Sequence, residues 1–444
     1  MSVAIALLTR DLRVCDNPVL DAAARAADRV VPLFVLDEAI LRTGFNRPNR
    51  ARFLAECLGD LDESLTGLGA GLVVRRGDVV AEVARLAHRT GAAEVFAAAD
   101  VSGYAQRRQR RLADGLGGEG RCLRLLSGVT VVPPGRLVPE GKDHSAVFTP
   151  YFRKWAVADR RALLGTPRRL CLPDGLDRGH VPDQDEICPG TTSPRLPRGG
   201  EGTARALFDG WLRHGIAGYD RCHDDLAADA TSRLSPYLHF GCLSPTEAVV
   251  RCAGLDEGRA AGREAFVRQL AWRDFHHQVL AARPDAASAD YRPRGRSWSG
   301  DDPRIGAWRE GRTGIPVVDA GMRQLAAEGW MHNRARLIVA AYLTRDLAID
   351  WRLGARHFFD LLVDGDLANN TMNWQWVAGT GNDTRRDRPF NVLRQAARFD
   401  PTGEYVRRHV EELTGIDGPA VHRPWRLDPA ARRTLGYPEP LTEV

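Results

Sequence analysis

MSVAIALLTRDLRVCDNP (1–18) opens the chain, and the fate of its apolar run decides the fold. A short apolar stretch behind a start methionine has the superficial look of a secretion signal. The run ends at Leu8, however, and charged Arg10, Asp11 and Arg13 follow where a small-residue cleavage site would stand. Val3–Leu8 therefore reads as a buried β-strand. Working outward, further strand candidates lie at Val30–Leu36, Leu72–Arg75, Glu94–Ala98 and Cys122–Leu126. Helical patterns fill the gaps near 17–27, 49–66, 79–89 and 102–115. Strand–helix alternation at this spacing predicts a parallel, five-stranded, Rossmann-like α/β domain over residues 1–130. No G-x-G-x-x-G follows the first strand, so a dinucleotide is not expected there in the usual way.

Residues 165–200 are rich in Pro, Gly and charge and show no periodicity, which places an interdomain connection within 131–200. From 201 to 444 apolar residues recur at helical spacing through 203–213, 244–253, 261–281, 317–327, 331–348 and 354–363. No convincing alternating strand appears among them, so the second half is expected to be all-α. A chain of 444 residues has room for two or three domains. Its 43% hydrophobic and 27% charged residues are ordinary for a globular protein, and no apolar run reaches the length of a membrane span. Eight scattered cysteines without a C-x-x-C pair argue against a disulfide framework or a zinc site and point to the cytoplasm. The formal charge of +5 hints weakly at a polyanionic partner, and nearly all the basic residues are arginine.

Seven of the ten tryptophans lie between Trp272 and Trp376. Two of them close the run DGDLANNTMNWQW (364–376), which joins paired aspartates and asparagines to Trp374-Gln375-Trp376. A tryptophan-rich helical core accounts for this, and so does a site for a large, flat, redox-active ligand, with rings to stack or pass an electron and amides to bond a heteroaromatic edge. TSRLSPYLHFGCLS (231–244) sets Thr231, Ser232 and Ser235 before a helical pattern, as a simple N-cap or a cradle for phosphate oxygens. FVRQLAWRDFHHQVL (266–280) carries Gln269, Trp272 and Arg273 within little more than one turn, either as a core helix or as the wall of a base-binding pocket. GWMHNRARLIVAAYLTRDLAIDW (329–351) presents Asn333, Arg334 and Arg336 near its start; His332 alone reads as a surface or capping residue, and no metal site is expected.

In order, TSRLSP, LAWRDF, TGIPVVDAGMRQL (313–325), GWMHNRAR and DGDLANN…WQW resemble the photolyase/cryptochrome family, closest to its class I cyclobutane pyrimidine dimer branch. VFTPYFRKW (147–155) and RFDPTGEYVRR (398–408) add to the resemblance, which runs almost end to end. It implies FAD bound in the helical domain and an antenna chromophore, deazaflavin or folate, in the α/β domain. By the resemblance Tyr219, Thr231, Ser232, Leu234 and Ser235 hold the pyrophosphate, and Asp364 and Asp366 contact the flavin and its sugar chain. Arg336 pairs with Asp364 beside the isoalloxazine, and Asn370 faces flavin N5. Trp374, Trp351 and Trp298 match the chain that photoreduces the flavin, from the inside outward. Trp272 and Trp376 match the walls of the lesion pocket, Gln269 and Asn333 fall among the residues that line it, and Arg334 and Arg388 match arginines that grip the DNA backbone. The implied activity is light-driven repair of pyrimidine dimers in DNA, by a monomer away from any membrane.

The chain also departs from that pattern. Gln269 stands where the cyclobutane-repair branch usually carries glutamate, and an amide cannot supply a proton to a dimer radical anion. Glutamine there is typical of the (6-4) photolyase and animal cryptochrome branch, but the working histidines of that branch fall at Asn333 and Leu337. His223 replaces an arginine, and Val392 a proline. Arg50 and Asp100 match deazaflavin contacts, whereas Ser102 and Gly103 interrupt that branch's acidic-proline turn. The rivals are a blue-light photoreceptor without repair activity and, behind it, a (6-4) photolyase.

Overall fold

The computed structural model describes residues 1–300, 302–383 and 389–443. The chain forms two compact units, one of Met1–Thr192, Arg198–Ala217 and Ser232–Pro284 and the other of Ser193–Pro197, Gly218–Thr231 and Asp285–Val444.

In the first unit β1 (Val3–Leu7), β2 (Arg29–Asp37), β3 (Val73–Gly77), β4 (Glu94–Ala98) and β5 (Cys122–Leu126) form one sheet in the order β3-β2-β1-β4-β5. All four pairings are parallel. The opening apolar run is the central strand: Ala4, Ile5, Ala6 and Leu7 are at most 1% exposed, as a strand covered on both faces must be. Helices α1 (Pro18–Ala26), α2 (Pro48–Gly67), α3 (Val79–Thr90) and α4 (Gly103–Gly117) connect the strands. Their starts are written locally. Asn17 accepts from the Val19 and Leu20 amides ahead of Pro18, Asp78 caps α3, and Ser102 caps α4 by accepting from Ala105.

Residues 165–192 contain one short helix, Gln184–Ile187, and the segment is laid along the sheet. The Leu170 amide donates to Leu68, the Val30 amide to Cys171, and the Val74 amide, on edge strand β3, to Arg178. Gly179, at φ +69, passes so close that a Cβ would meet the Val74 carbonyl oxygen at 2.6 Å. A stretch without periodicity thus satisfies backbone groups that an edge strand would otherwise leave open.

The same unit contains helices α5 (Phe148–Ala156), α6 (Glu201–His214) and α7 (Ala260–Ala282). Buried side chains of α7 are spent on the 129–155 stretch. Asp274 accepts from the Val132 amide and the Trp155 indole at 2.9 Å, and Gln278 exchanges two hydrogen bonds with the Ser145 backbone. In the second unit α8 (Pro316–Glu328), α9 (Asn333–Ala341), α10 (Trp351–Leu361), α11 (Leu367–Ala378) and α12 (Val392–Phe399) surround a core in which Trp308, Trp351 and Trp374 are 0–2% exposed. The expected helix at 331–348 is divided: α9 ends at Ala341, and Tyr342–Asp346 continues as one wider π-turn.

Candidate functional site

The 364–376 run builds one wall from its own hydrogen bonds. Asp366 caps α11, its Oδ1 accepting from the Asn369 amide and side chain at 2.8 Å, and Gly379 at φ +77 ends the helix. Asp364 is paired with Arg336 of α9 at 2.8 Å, with only 4% of the carboxylate side chain exposed, and Arg336 also donates to the Met331 carbonyl. A guanidinium fixed at both ends lays a permanent cation beside buried helices, where low polarisability strengthens its field. Asn370 donates to Ala355 of α10 at 3.2 Å, and Asn373 to Asn369.

For two polar residues of these motifs the structure bears out the core reading over the ligand reading. Gln375 offers no amide to a ligand: it is fully buried, donates to Ala286 and Ala289, and accepts from the Tyr291 amide. Arg273 is no pocket cation either, since it is buried and donates to Val129 and Leu238. Both satisfy irregular backbone that would otherwise be buried unpaired, a use that residue type and spacing do not reveal.

The three tryptophans of the expected relay stand on segments that touch one another. Trp374 packs on Gly354 of α10, one turn beyond Trp351, which opens that helix. Ser299, next to Trp298, exchanges backbone hydrogen bonds with Ala348 and Asp350, next to Trp351. Their surroundings differ. The Trp374 indole nitrogen has no hydrogen-bond partner among the described residues, whereas Trp351 Nε1 donates to Asp290 at 2.9 Å. Trp298 is only partly buried against the same core. Trp308, which the sequence reading did not single out, stands edge-on to Trp374 with ring centroids 6.1 Å apart. Only its place in the tryptophan cluster could have flagged it.

Trp376, two residues on from Trp374, turns outward. It lines a pocket of about 240 Å³ with Asp224, Arg294, Arg296, Arg334, Arg345 and Arg398 among its other walls. Arg334 grips both oxygens of Asp224 at 2.6 Å and lies 4.3 Å over the Phe399 ring. Arg345 reaches back from the π-turn to cap α11 at the Val377 carbonyl. The alternation of arginines in YRPRGRSW (291–298) was the unread signal here: Arg292 and Arg294 both donate to the Asp383 carbonyl beneath the pocket rim. Asn333 is exposed at the start of α9, and Arg388 lies outside the described residues.

His332 caps α9, accepting from the Arg334 amide through Nδ1. Burial lowers its pKa to about 4, the nearby arginines acting in the same sense and Asp224 and Asp229 opposing. The neutral ring therefore carries its proton on Nε2, which has no partner among the described residues. Tyr219 is buried at the start of the short helix Tyr219–Cys222, and its carbonyl meets His223 Nδ1 at 2.7 Å. Thr231 keeps a buried hydroxyl that has no partner among the described residues. In the first unit, buried Leu234 precedes the helix Ser235–Phe240 with Ser232 upstream and Ser235 exposed, and no side chain caps that helix. Gln269 is exposed on α7, and Trp272, half-buried, stacks on Phe148. Arg50 is buried, donates to the Phe45 carbonyl and lies 4.5 Å over the Phe45 ring. Burial works against the charge on Asp100, but Arg10, the Val101 amide and Arg108 outweigh it and hold the carboxyl below its usual range.

FAD fits the second unit on these observations. Among the described residues, buried polar atoms of Trp374, Thr231 and His332 stand without partners, and the same unit holds the buried Arg336–Asp364 pair. The model for the FAD binding domain of DNA photolyase matches residues 266–444, and that for DNA photolyase matches residues 4–167. A deoxyribodipyrimidine photo-lyase of Streptomyces griseus is 55% identical over 446 residues, covering 100% of this chain and 97% of the relative. A bacterial class III photolyase from Agrobacterium tumefaciens superposes with a TM-score of 0.93 at 31% identity, over 100% of this chain and 94% of that one. A Synechocystis cryptochrome superposes with a TM-score of 0.92 at 27% identity, over 100% and 96%. Alike along its whole length in sequence and in fold, the chain belongs to the photolyase/cryptochrome family, with FAD as its cofactor.

Proposed function

We propose that this protein repairs cyclobutane pyrimidine dimers in DNA under blue light, as a cytoplasmic monomer. The observation that carries the proposal is the double-faced helix α11. It turns Trp374 into a buried redox core, and two residues later Trp376 into a pocket walled by arginines. Bound FAD supplies a light-absorbing one-electron donor and acceptor. The chain's residues do the rest: Arg336 and Asp364 set the local charge, and Asn370 offers an amide that hydrogen-bonds without ionising. Trp272 and Trp376 supply faces for a flipped-out dimer, whose weak stacking makes it cheaper to extrude than an intact pair. Arg334 and Arg388 hold phosphates, so binding should fall steeply with salt. Tyr219, Thr231, Ser232, Leu234, Ser235 and Asp366 hold the rest of the cofactor, and Trp298, Trp351 and Trp374 reload it with electrons. We place a second, light-collecting chromophore of the deazaflavin or folate class near Arg50 and Asp100, supported by the buried charges there.

The test is to illuminate the reduced protein with an oligonucleotide containing one thymine dimer and follow recovery of thymine absorbance. A protein that photoreduces but leaves the dimer intact would support the photoreceptor reading, which Gln269 favours because it cannot donate the proton that a glutamic acid could. A (6-4) photolyase is disfavoured by Asn333 and Leu337, which put no imidazole at either working position.

A further inference from the structure

The buried indoles of the second unit differ in what receives their N–H. Trp374 Nε1 meets no acceptor among the described residues. Trp308 Nε1 donates to a backbone carbonyl, that of Val339, which is far too weak a base to take a proton. Trp351 Nε1 donates to a carboxylate, Asp290 Oδ1, at 2.9 Å. The Trp351 ring is only 1% exposed, so bulk water does not reach it, but the Asp290 side chain is 17% exposed and leads out to solvent. Arg352 grips Asp290 at 2.8 Å and Asp350 at 3.1 Å, and its guanidinium lies 4.8 Å over the Trp351 ring. A cation in that place disfavours a second positive charge on the indole.

We infer that Asp290 is the proton acceptor for oxidised Trp351, so that the electron vacancy becomes trapped there as a neutral indole radical. The inference rests on the proposed relay through Trp374, Trp351 and Trp298. The one oxidant needed is light-excited oxidised FAD, which when bound would draw one electron from Trp374. An electron then passes from Trp351 to Trp374, leaving Trp351 a radical cation. A neutral indole does not ionise at working pH, but its radical cation is an acid comparable to a carboxylic acid. Its N–H bond breaks, an O–H bond forms on Asp290 Oδ1, and the positive charge beneath Arg352 disappears. Return of the electron now requires return of the proton, so back-transfer slows. When an electron arrives from Trp298 or from an external donor, Asp290 gives the proton back. Trp374, which meets no acceptor among the described residues, stays cationic and hands its vacancy on.

The test uses transient absorption of the FAD-loaded protein, in which cationic and neutral tryptophan radicals have distinct spectra. In Trp298→Phe the vacancy ends on Trp351, and the neutral form should appear, more slowly in D2O than in H2O. In Trp298→Phe/Asp290→Asn the amide still accepts the hydrogen bond but takes no proton. The radical should remain cationic, and its lifetime should shorten several-fold. The same radical form in both variants, or no neutral form in Trp298→Phe with Asp290 intact, overturns the inference. No tryptophan radical of any form in the unmodified protein removes the relay itself, and the inference with it.

Discussion

Trp272 lies face to face on Phe148, with ring centroids 3.6 Å apart and planes 6° from parallel. The tryptophan comes from α7 and the phenylalanine from α5, and Phe275 closes the group edge-on to both rings. Arg268 lies 5.0 Å over Phe148 and 4.7 Å over Phe152. Trp272, which we propose offers a face to a flipped base, is thus packed against Phe148 and Phe275, and Phe148 in turn against Phe152 and Arg268. The motif VFTPYFRKW supplies the ring on which Trp272 stacks.

Phe148→Ala should therefore cost stability and leave Trp272 loose. Phe148 is 6% exposed, and truncating a buried phenylalanine costs about 3 kcal/mol. Losing the stacked pair, worth about 1 kcal/mol beyond burial, should weaken lesion binding several-fold. Undamaged DNA, held through phosphates, should bind as before. Urea unfolding gives the first number and titration of dimer-containing against intact oligonucleotide gives the second. Equal losses on both DNAs would mean that the stack does not position Trp272.

Gly354→Ala addresses the inner tryptophan. A Cβ at Gly354 would stand 2.6 Å from Leu343 Cδ2 and closer still to the Trp374 ring, within a core that has no slack. The strain should cost about 1–3 kcal/mol and displace Trp374. Photoreduction of bound flavin should slow while lesion binding holds, because Trp376 faces the other way. Thermal unfolding and the rate of flavin bleaching under steady light test the two halves separately.

The strands and most helices were legible in the sequence because the local signals agreed. The run Val3–Leu8 is apolar and short, Asn17-Pro18 and Asp78 mark helix starts, and five strands fall between four amphipathic segments. The roles proposed for residues of the 364–376 run come from the resemblance. What stayed hidden was where buried polar side chains spend their hydrogen bonds. Gln375, Arg273 and Asp274 prove to be anchors for backbone that lies far away in sequence. Asp290 was invisible for the same reason: its partner Trp351 lies 61 positions along the chain. Residues 165–192 show no period because strand-edge hydrogen bonds, not an amphipathic face, hold them.

Two histidines should make the fold acid-sensitive. Burial holds His332 and His357 near pKa 4, below the ordinary 6.5. Between pH 6.5 and 4 the unfolded chain binds protons that the folded chain refuses, so stability falls as pH drops through that window and is unaffected above it. Each group contributes at most about 3 kcal/mol to the loss, and His357, the more exposed, contributes less. His332→Asn keeps an acceptor for the α9 cap, and His357→Phe preserves the ring edge-on to Trp308. Each variant should flatten the decline seen by urea unfolding at pH 7 and pH 5. An unchanged slope would show that the ring replaced is protonated in the fold.

Gln269→Glu separates two effects that one carboxylate would exert. Gln269 is exposed on α7, three residues before Trp272 and so on the neighbouring face of the helix. A glutamic acid there could hand a proton to a dimer radical anion, which glutamine cannot, so the yield of split dimers per absorbed photon should rise. The same carboxylate brings a negative charge toward a polyanion. Binding should weaken by a few-fold at low salt, and the difference should shrink as salt screens it. The substitution would thus raise repair per bound lesion while lowering occupancy, a pattern that added packing or lost structure would not give. Measuring the yield at saturating DNA and the affinity at two salt concentrations distinguishes these outcomes. An unchanged yield at saturation would mean that the dimer is protonated from elsewhere or splits without a proton, and that Gln269 marks no loss of repair chemistry.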